Sequence, residues 1–355
     1  MRILVTGGAG FIGSHLIKKL LEDSNNVVFN LDKLSYASNH EFIDGILKKN
    51  SHKFSKKYEL LKINLENKSD TENALKYACP DLIMHLAAES HVDRSIENPE
   101  IFINSNIIGT FNLLEATRKF WNQLSQSKKS IFRFQHISTD EVFGSLGNIG
   151  TFSEETPYDP RSPYSASKAS SDHLVRSWHY TFGIPIILSN CSNNFGPWQF
   201  PEKLIPLSIY KALSNKPIQI YGDGENIRDW LFVDDHIDAL VQIARKGRVG
   251  ESYCVGGNGE KSNKEVVLEI CEIMDNKFPL KAPHKNLIKY VSDRPGHDKR
   301  YSINPKKINS ELSWFAKNNF RDGLQKTVDW YIDNLDWFKK IIDKKNYNYE
   351  RLGKI

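Results

Sequence analysis

Three groups of residues in this sequence have types and spacings suited to chemistry. The first is Thr139-Asp140-Glu141, at the end of the apolar run Arg133–Ser138. Adjacent carboxylates repel, and a pair held in different surroundings splits into one protonated acid and one ionised base. At the C-terminal end of a parallel strand, such a pair faces the crevice where open α/β sheets bind ligands. The second group is Gly7-Gly8-Ala9-Gly10-Phe11-Ile12-Gly13. Gly7 and Gly10 permit a tight turn and close approach to a pyrophosphate, and Gly13 lets the following helix pack on the strand. The N-terminus of that helix offers free N–H groups and the positive end of its dipole. Asp32 ends the next candidate strand, where an acid takes the adenosine ribose 2′-OH and repels a 2′-phosphate, so NAD is favoured over NADP. The third group is Tyr164 and Lys168, one helical turn apart. A lysine ammonium near a phenol lowers its pKa, which equips Tyr164 to take a sugar hydroxyl proton while hydride leaves for NAD.

Elements that position these groups are visible in the hydrophobic pattern. Strand-like runs at Arg2–Thr6, Asn26–Leu31, Leu60–Asn64, Leu82–Leu86, Arg133–Ser138 and Pro185–Ser189 alternate with amphipathic segments such as Gly13–Leu21, Asn106–Trp121 and Ala166–Tyr180. That alternation predicts right-handed βαβ units and a Rossmann-type, doubly wound parallel sheet. After Asn193 the chain turns Pro- and Gly-rich, an α/β pattern returns over Trp230–Ala244, and a strand at Ile288–Val291 and a last helix over Gly323–Lys340 follow. The expected division is a NAD-binding unit of residues 1–193 with about 229–262, and a smaller mixed α/β substrate unit of about 194–228 with 263–355.

Composition excludes several classes. The 355 residues are 39% hydrophobic and 26% charged, as in an ordinary globular chain, with no apolar run long enough for a membrane span. No signal-peptide pattern is present, and a cytoplasmic location is expected. The net charge of +5 comes from scattered lysines rather than one basic element, so no nucleic-acid partner is expected. Cys79, Cys191, Cys254 and Cys271 show no paired spacing, and His85, His136 and His236 have no ligand spacing, so no metal is expected.

The Gly-rich turn, Tyr164–Lys168 and a Ser138-Thr139 pair before them resemble the extended short-chain dehydrogenase/reductase family. Those features are shared by epimerases, reductases and dehydratases. Asp140-Glu141 separates them, since a 4-epimerase needs no acid–base pair, and a NAD-binding module without catalysis would not need Tyr164 or Lys168. The sequence resembles the nucleotide-sugar 4,6-dehydratases of that family over nearly its whole length. The resemblance rests on His85-Leu86-Ala87-Ala88-Glu89-Ser90-His91-Val92-Asp93-Arg94-Ser95, on the block Ser162–Asp172, and on Cys191-Ser192-Asn193-Asn194. Phe200–Pro206, Ile227-Arg228-Asp229-Trp230 and Asp293-Arg294-Pro295-Gly296-His297-Asp298 extend it.

The resemblance implies a hydro-lyase with tightly bound, recycled NAD. Its expected substrate is a nucleoside-diphosphate glucose, dTDP-glucose before UDP-glucose, and its product a 4-keto-6-deoxy sugar nucleotide that feeds rhamnose or another deoxysugar. It assigns Tyr164, supported by Lys168, to the C4 hydroxyl proton, and Thr139 to the C4 oxygen. Glu141 becomes the C5 base and Asp140 the acid for the departing C6 hydroxyl. It places Gly7, Gly10, Phe11, Ile12, Gly13, Asp32, Lys33, Leu34, Ser35, Asn64, Leu65, Leu86, Ala87, Ala88, Ser105, Tyr164, Lys168 and Asn194 at the cofactor. At the nucleotide sugar it places Ser90, Thr139, Asn193, Glu202, Lys203, Leu204, Arg228, Asn263, Asp293, Arg294, His297 and Tyr301. Arg228 and Arg294 carry guanidinium forks suited to a diphosphate. Asn64-Leu65 departs from the Asp-Ile usual at the adenine, and Phe143 from the usual Tyr. A homodimer through helices such as Asn106–Trp121 and Ala166–Tyr180 is also implied.

Overall fold

The computed structural model describes residues 1–38, 40–49, 54 and 56–344. Seven strands form a parallel sheet: β1 (Arg2–Thr6), β2 (Val27–Asp32), β3 (Tyr58–Lys62), β4 (Leu82–His85), β5 (Arg133–Thr139), β6 (Ile186–Cys191) and, after other elements, β10 (Ser252–Val255). Their spatial order is β10-β6-β5-β4-β1-β2-β3. The order reverses at β1 and β4, so the carboxyl ends of these two strands open the crevice where such sheets take ligands. Side-chain alternation along β1 supplies both faces. Ile3 and Val5 pack with Leu16, Leu20 and Leu240 on one side, and Leu4 packs with Leu75, Leu113 and Val175 on the other. Burial on both faces is why β4 and β6 carry no exposed residue.

The strands outside this sheet are short: β7 (Asn193–Phe195), β8 (Ile218–Tyr221), β9 (Ile227–Phe232), β11 (Glu260–Ser262) and β12 (Ile288–Val291). β9 pairs with β7 in parallel and with β11 antiparallel, and β8 pairs with β12 in parallel. Helices Leu204–Leu213, Asn263–Lys277 and Phe320–Asp333 close a separate core around Ile209, Val267, Ile270, Phe320 and Leu324. Ile308, Leu312 and Trp314 instead pack on the sheet side, against Ile187 and Tyr253.

Among the departures from the sequence reading, two have a clear structural cause. The third strand is Tyr58–Lys62 rather than Leu60–Asn64, because pairing to β2 sets Tyr58 opposite Val28 and leaves Ile63 and Asn64 beyond the sheet. The last helix is two, Phe320–Asp333 and Leu335–Lys344, interrupted at Asn334, whose amide donates back to the Trp330 carbonyl at 2.8 Å. Residues 345–355 of the expected substrate unit lie outside the described residues. No helix among the described residues is long and apolar enough to cross a membrane.

Candidate active site

The glycine turn is built for close approach. Gly7 has φ +72°, and a Cβ there would stand 2.7 Å from the Ala87 backbone. A Cβ on Gly13 would stand 2.2 Å from the Gly7 carbonyl oxygen, so glycine is required at both positions. Helix Phe11–Glu22 begins with no side-chain cap, which leaves its first N–H groups open to an anion. The Asp32 carboxylate is fixed at the end of β2 by the N–H groups of Ala9 (2.9 Å) and Leu34 (2.7 Å). Gly7, Gly10, Gly13 and Asp32 line a cavity of about 310 Å³ with Phe11, Ile12, Ser35, Asn64, Leu65, Leu86–Ala88, Ser105 and Asn194. A cradle this close at Gly7 and Gly13, ending in an anchored acid, fits a dinucleotide. Leu34 is the exception among the expected cofactor residues. It takes a left-handed φ of +62° and orients Asp32 through its N–H instead of lining the cavity. Lys33 lies 3.0 Å from Glu89 and 3.7 Å from Glu66, so carboxylates already claim its charge.

At the end of β5, Thr139 caps the tight turn Asp140–Phe143. Its hydroxyl accepts the Glu141 N–H at 3.2 Å and donates to Asp140 Oδ1 at 3.2 Å. Asp140 is 1% exposed, and its Oδ2 has no hydrogen-bond partner among the described residues. Burial, then Glu141 and Asp229, push its carboxyl well above the carboxylate range. Glu141 is also raised by burial, but Arg294, Arg228 and Lys203 pull it back toward the ionised form. The two neighbouring acids therefore sit in different fields.

Tyr164 enters from helix Pro163–Phe182, whose start is set by Pro163 in the first turn and a capping box between Ser162 and Ser165. Lys168 follows one turn later, but its ammonium donates to the Ile137 carbonyl at 2.9 Å. The expectation of a lowered Tyr164 pKa is corrected here. Burial, then Glu141 and Cys191, hold the phenol well above its ordinary value, with the Thr139 hydrogen bond opposing them. Burial lowers Lys168 from its own usual value. Beneath both lies Asp172, which sequence reasoning had only inside a family block. It accepts from Ser138 (2.8 Å), Tyr158 (2.9 Å) and His136 (3.0 Å), joining β5 to the Tyr164 helix.

A second cavity of about 220 Å³ meets the first at Ser90, Glu141, Asn193, Asn194, Gln199, Glu202 and Lys203. Leu204, Arg228, Asn263, Arg294, His297 and Tyr301 also line it. Arg228 is 5% exposed, donates to the Asp298 carbonyl at 3.0 Å and stacks on Tyr301 at 4.2 Å. Asn193 Oδ1 is buried without a partner among the described residues. Lys203 donates to the Ser90 carbonyl at 2.8 Å. Asp293 does not line the cavity; it holds His297 Nδ1 at 2.6 Å. Glu202 is engaged by Arg94 and Tyr36, both at 2.9 Å. Tyr221 and Tyr36 escaped the sequence reading, and Asp93 stood in it only inside a family block, since their partners lie 128 to 201 residues away.

Comparison with known proteins agrees with this geometry. The family model for GDP-mannose 4,6 dehydratase matches residues 4–327. The chain is 49% identical to the dTDP-glucose 4,6-dehydratase of Neisseria meningitidis serogroup B, over 99% of both chains. It is 42% identical to the dTDP-glucose 4,6-dehydratase of Bacillus anthracis, solved in complex with NAD, with a TM-score of 0.83 over 96% of this chain and 99% of that one. It also matches the dTDP-glucose 4,6-dehydratase of Streptomyces venezuelae, solved with NAD and TYD bound. The identity is 37% and the TM-score 0.86, over 96% of this chain and 100% of that one.

Proposed function

The chain belongs to the GDP-mannose 4,6 dehydratase family, and from that premise we propose that it is an NAD-dependent hydro-lyase that converts dTDP-glucose to the 4-keto-6-deoxy sugar nucleotide. The observation that carries this reading is Asp140 and Glu141 held by one Thr139 hydroxyl, with both acids lining the first cavity and Glu141 also lining the second.

Gly7, Gly10, Gly13 and Asp32 hold the cofactor's pyrophosphate and ribose. Bound NAD supplies the acceptor of the C4 hydride, its return at C6 and, when oxidised, a positive charge that favours an ionised phenol. Tyr164 takes the C4 hydroxyl proton while Thr139 holds the C4 oxygen. Once C4 is a ketone the C5 proton is acidic, and Glu141 removes it. Asp140, kept protonated by its surroundings, gives its proton to the C6 oxygen, which leaves as water. Glu141 later returns a proton to C5. Arg228 and Arg294 hold the diphosphate, a charge that does not change during these steps.

The test is purified protein with dTDP-glucose and no added reductant. A product lighter by one water is expected; unchanged mass for dTDP-glucose and other nucleoside-diphosphate hexoses, at full NAD occupancy, overturns the proposal. The proposal extends to a cytoplasmic enzyme, a role in deoxysugar synthesis such as rhamnose, and a homodimer. Exposed Ile101, Ile108, Phe111, Tyr180 and Phe182, from helix Gly109–Asn122, helix Pro163–Phe182 and the turns before Gly109, support that last point.

A further inference from the structure

Arg294 reaches the second cavity from a long connection that follows β12, and one residue from the Val92–Glu97 helix pairs with it. Asp93, in the short helix Val92–Glu97 and itself at the wall of the second cavity, accepts Arg294 Nη1 at 3.1 Å with one oxygen and the Tyr221 hydroxyl at 2.9 Å with the other. Asp93 is 5% exposed, so both bonds form away from water. Arg294 Nε is buried with no partner among the described residues. One edge of the guanidinium is thus anchored while Nε keeps an unmet donor, and Arg294 lines the cavity. A donor in that state calls for an acceptor from the ligand.

We propose that Asp93 is a positioning residue for substrate binding, which fixes the Arg294 guanidinium so that its unpaired edge grips the diphosphate of the nucleotide sugar. This rests on the function proposed above. Without the anchor, a long flexible side chain must be ordered on each binding event. The same segment carries further ties to the substrate unit, Ser90 to Lys203 and Arg94 to Glu202. Asp93 is distinct in holding two side chains, Tyr221 and Arg294, that line the second cavity beside it. The diphosphate contact is equal in ground and transition states, so its loss raises KM with little change in kcat.

The experiment compares wild type, Asp93→Asn, Asp93→Ala, Arg294→Gln and the Asp93→Asn/Arg294→Gln double variant, each loaded with NAD. Asn is nearly isosteric, so it removes the charge that holds Arg294 with little change of shape. Expected for Asp93→Asn and Asp93→Ala are a KM for dTDP-glucose raised about 10-fold or more and a matching loss of dTDP affinity by calorimetry, with kcat within about threefold. In the Arg294→Gln background the Asp93→Asn change should add little. Unchanged KM and dTDP affinity in both Asp93 variants, or equal losses in the two backgrounds, overturn the inference. A wild type that does not act on dTDP-glucose instead overturns the proposed function, so the two failures are distinguishable.

Discussion

Thr139 and Asp140 are joined by a 3.2 Å hydrogen bond in which the threonine hydroxyl is the donor, while Oδ2 of the same carboxyl is left unpartnered among the described residues. That arrangement leaves the proton on the unpaired oxygen, where it can be passed to a ligand. Asp140→Asn keeps the shape and the Thr139 bond but has no acid proton to give. Expected is a fall in overall turnover of about 10²- to 10⁴-fold, the usual contribution of a general acid. Oxidation at C4, read as reduced-nicotinamide absorbance in a single turnover, should persist. Loss of that absorbance together with product formation would remove Asp140 from the acid role.

The pH profile follows from the two carboxyls. Glu141 works ionised and its pKa is raised, chiefly by burial, so activity is lost as pH falls through that raised value. Asp140 works protonated and is raised well above its ordinary value, again chiefly by burial, so activity is lost as pH rises through it. A bell-shaped kcat/KM is expected, with its acid limb above the ordinary glutamate value of about 4.3, and the two apparent values belong to the coupled pair. Glu141→Gln should abolish solvent-deuterium exchange at C5. An acid limb at the ordinary glutamate position, or intact exchange in that variant, would contradict the assignment.

These sites differ in how far they can be read from sequence. The Gly7–Gly13 turn, Asp32, Thr139-Asp140-Glu141 and Tyr164–Lys168 each lie within one strand–turn–helix stretch, so local spacing and period already place them. The surroundings of Tyr164 are not local. Its phenol faces Glu141 and Cys191, while Lys168 is drawn off to the Ile137 carbonyl, and helical spacing alone shows neither effect. The Asp93–Arg294 pair spans 201 residues and leaves no periodic trace. Asn334 likewise gives no strong break signal, so one amphipathic pattern reads as a single helix where there are two.

Asp172 should be a stability determinant rather than a participant in chemistry. Burial alone would raise its pKa, but hydrogen bonds and charge from His136, then Lys168 and Ser138, hold it below the usual value. A folded pKa below the unfolded one contributes stability above the unfolded value of about 3.9, and that stability is lost as pH falls through the folded value. Asp172→Ala leaves His136, Ser138 and Tyr158 without their acceptor, and a loss of about 3–5 kcal/mol is expected from denaturant unfolding. A loss under about 1 kcal/mol, within the range of an ordinary surface substitution, would show that the network is dispensable.

Oligomeric state is tested at the aromatic strip on the outer helices. Phe111 packs edge-on against Trp178 at 5.9 Å, Trp178 against Phe182 at 5.5 Å, and both phenylalanines remain partly exposed. A second copy of the chain would cover such a strip. Phe111→Asp buries a charge in that seam, and sedimentation should show a dimer in the wild type and a monomer in the variant. A wild type that stays monomeric at micromolar concentration would refute the homodimer.

Gly13→Ala isolates the cofactor cradle. The new methyl would meet the Gly7 carbonyl oxygen at 2.2 Å and Gly8 Cα at 2.7 Å, both backbone atoms that cannot swing aside. The helix must move away from β1 or the turn must open, and either change spoils the closely spaced N–H groups that face a pyrophosphate. In the helix itself alanine is the better residue than glycine, by about 1 kcal/mol, so propensity works against the predicted loss. The expected outcome is protein purified with little NAD, binding added NAD at least about 10-fold more weakly by calorimetry, with secondary structure retained in circular dichroism. NAD content and affinity equal to the wild type would mean that the turn does not cradle the cofactor.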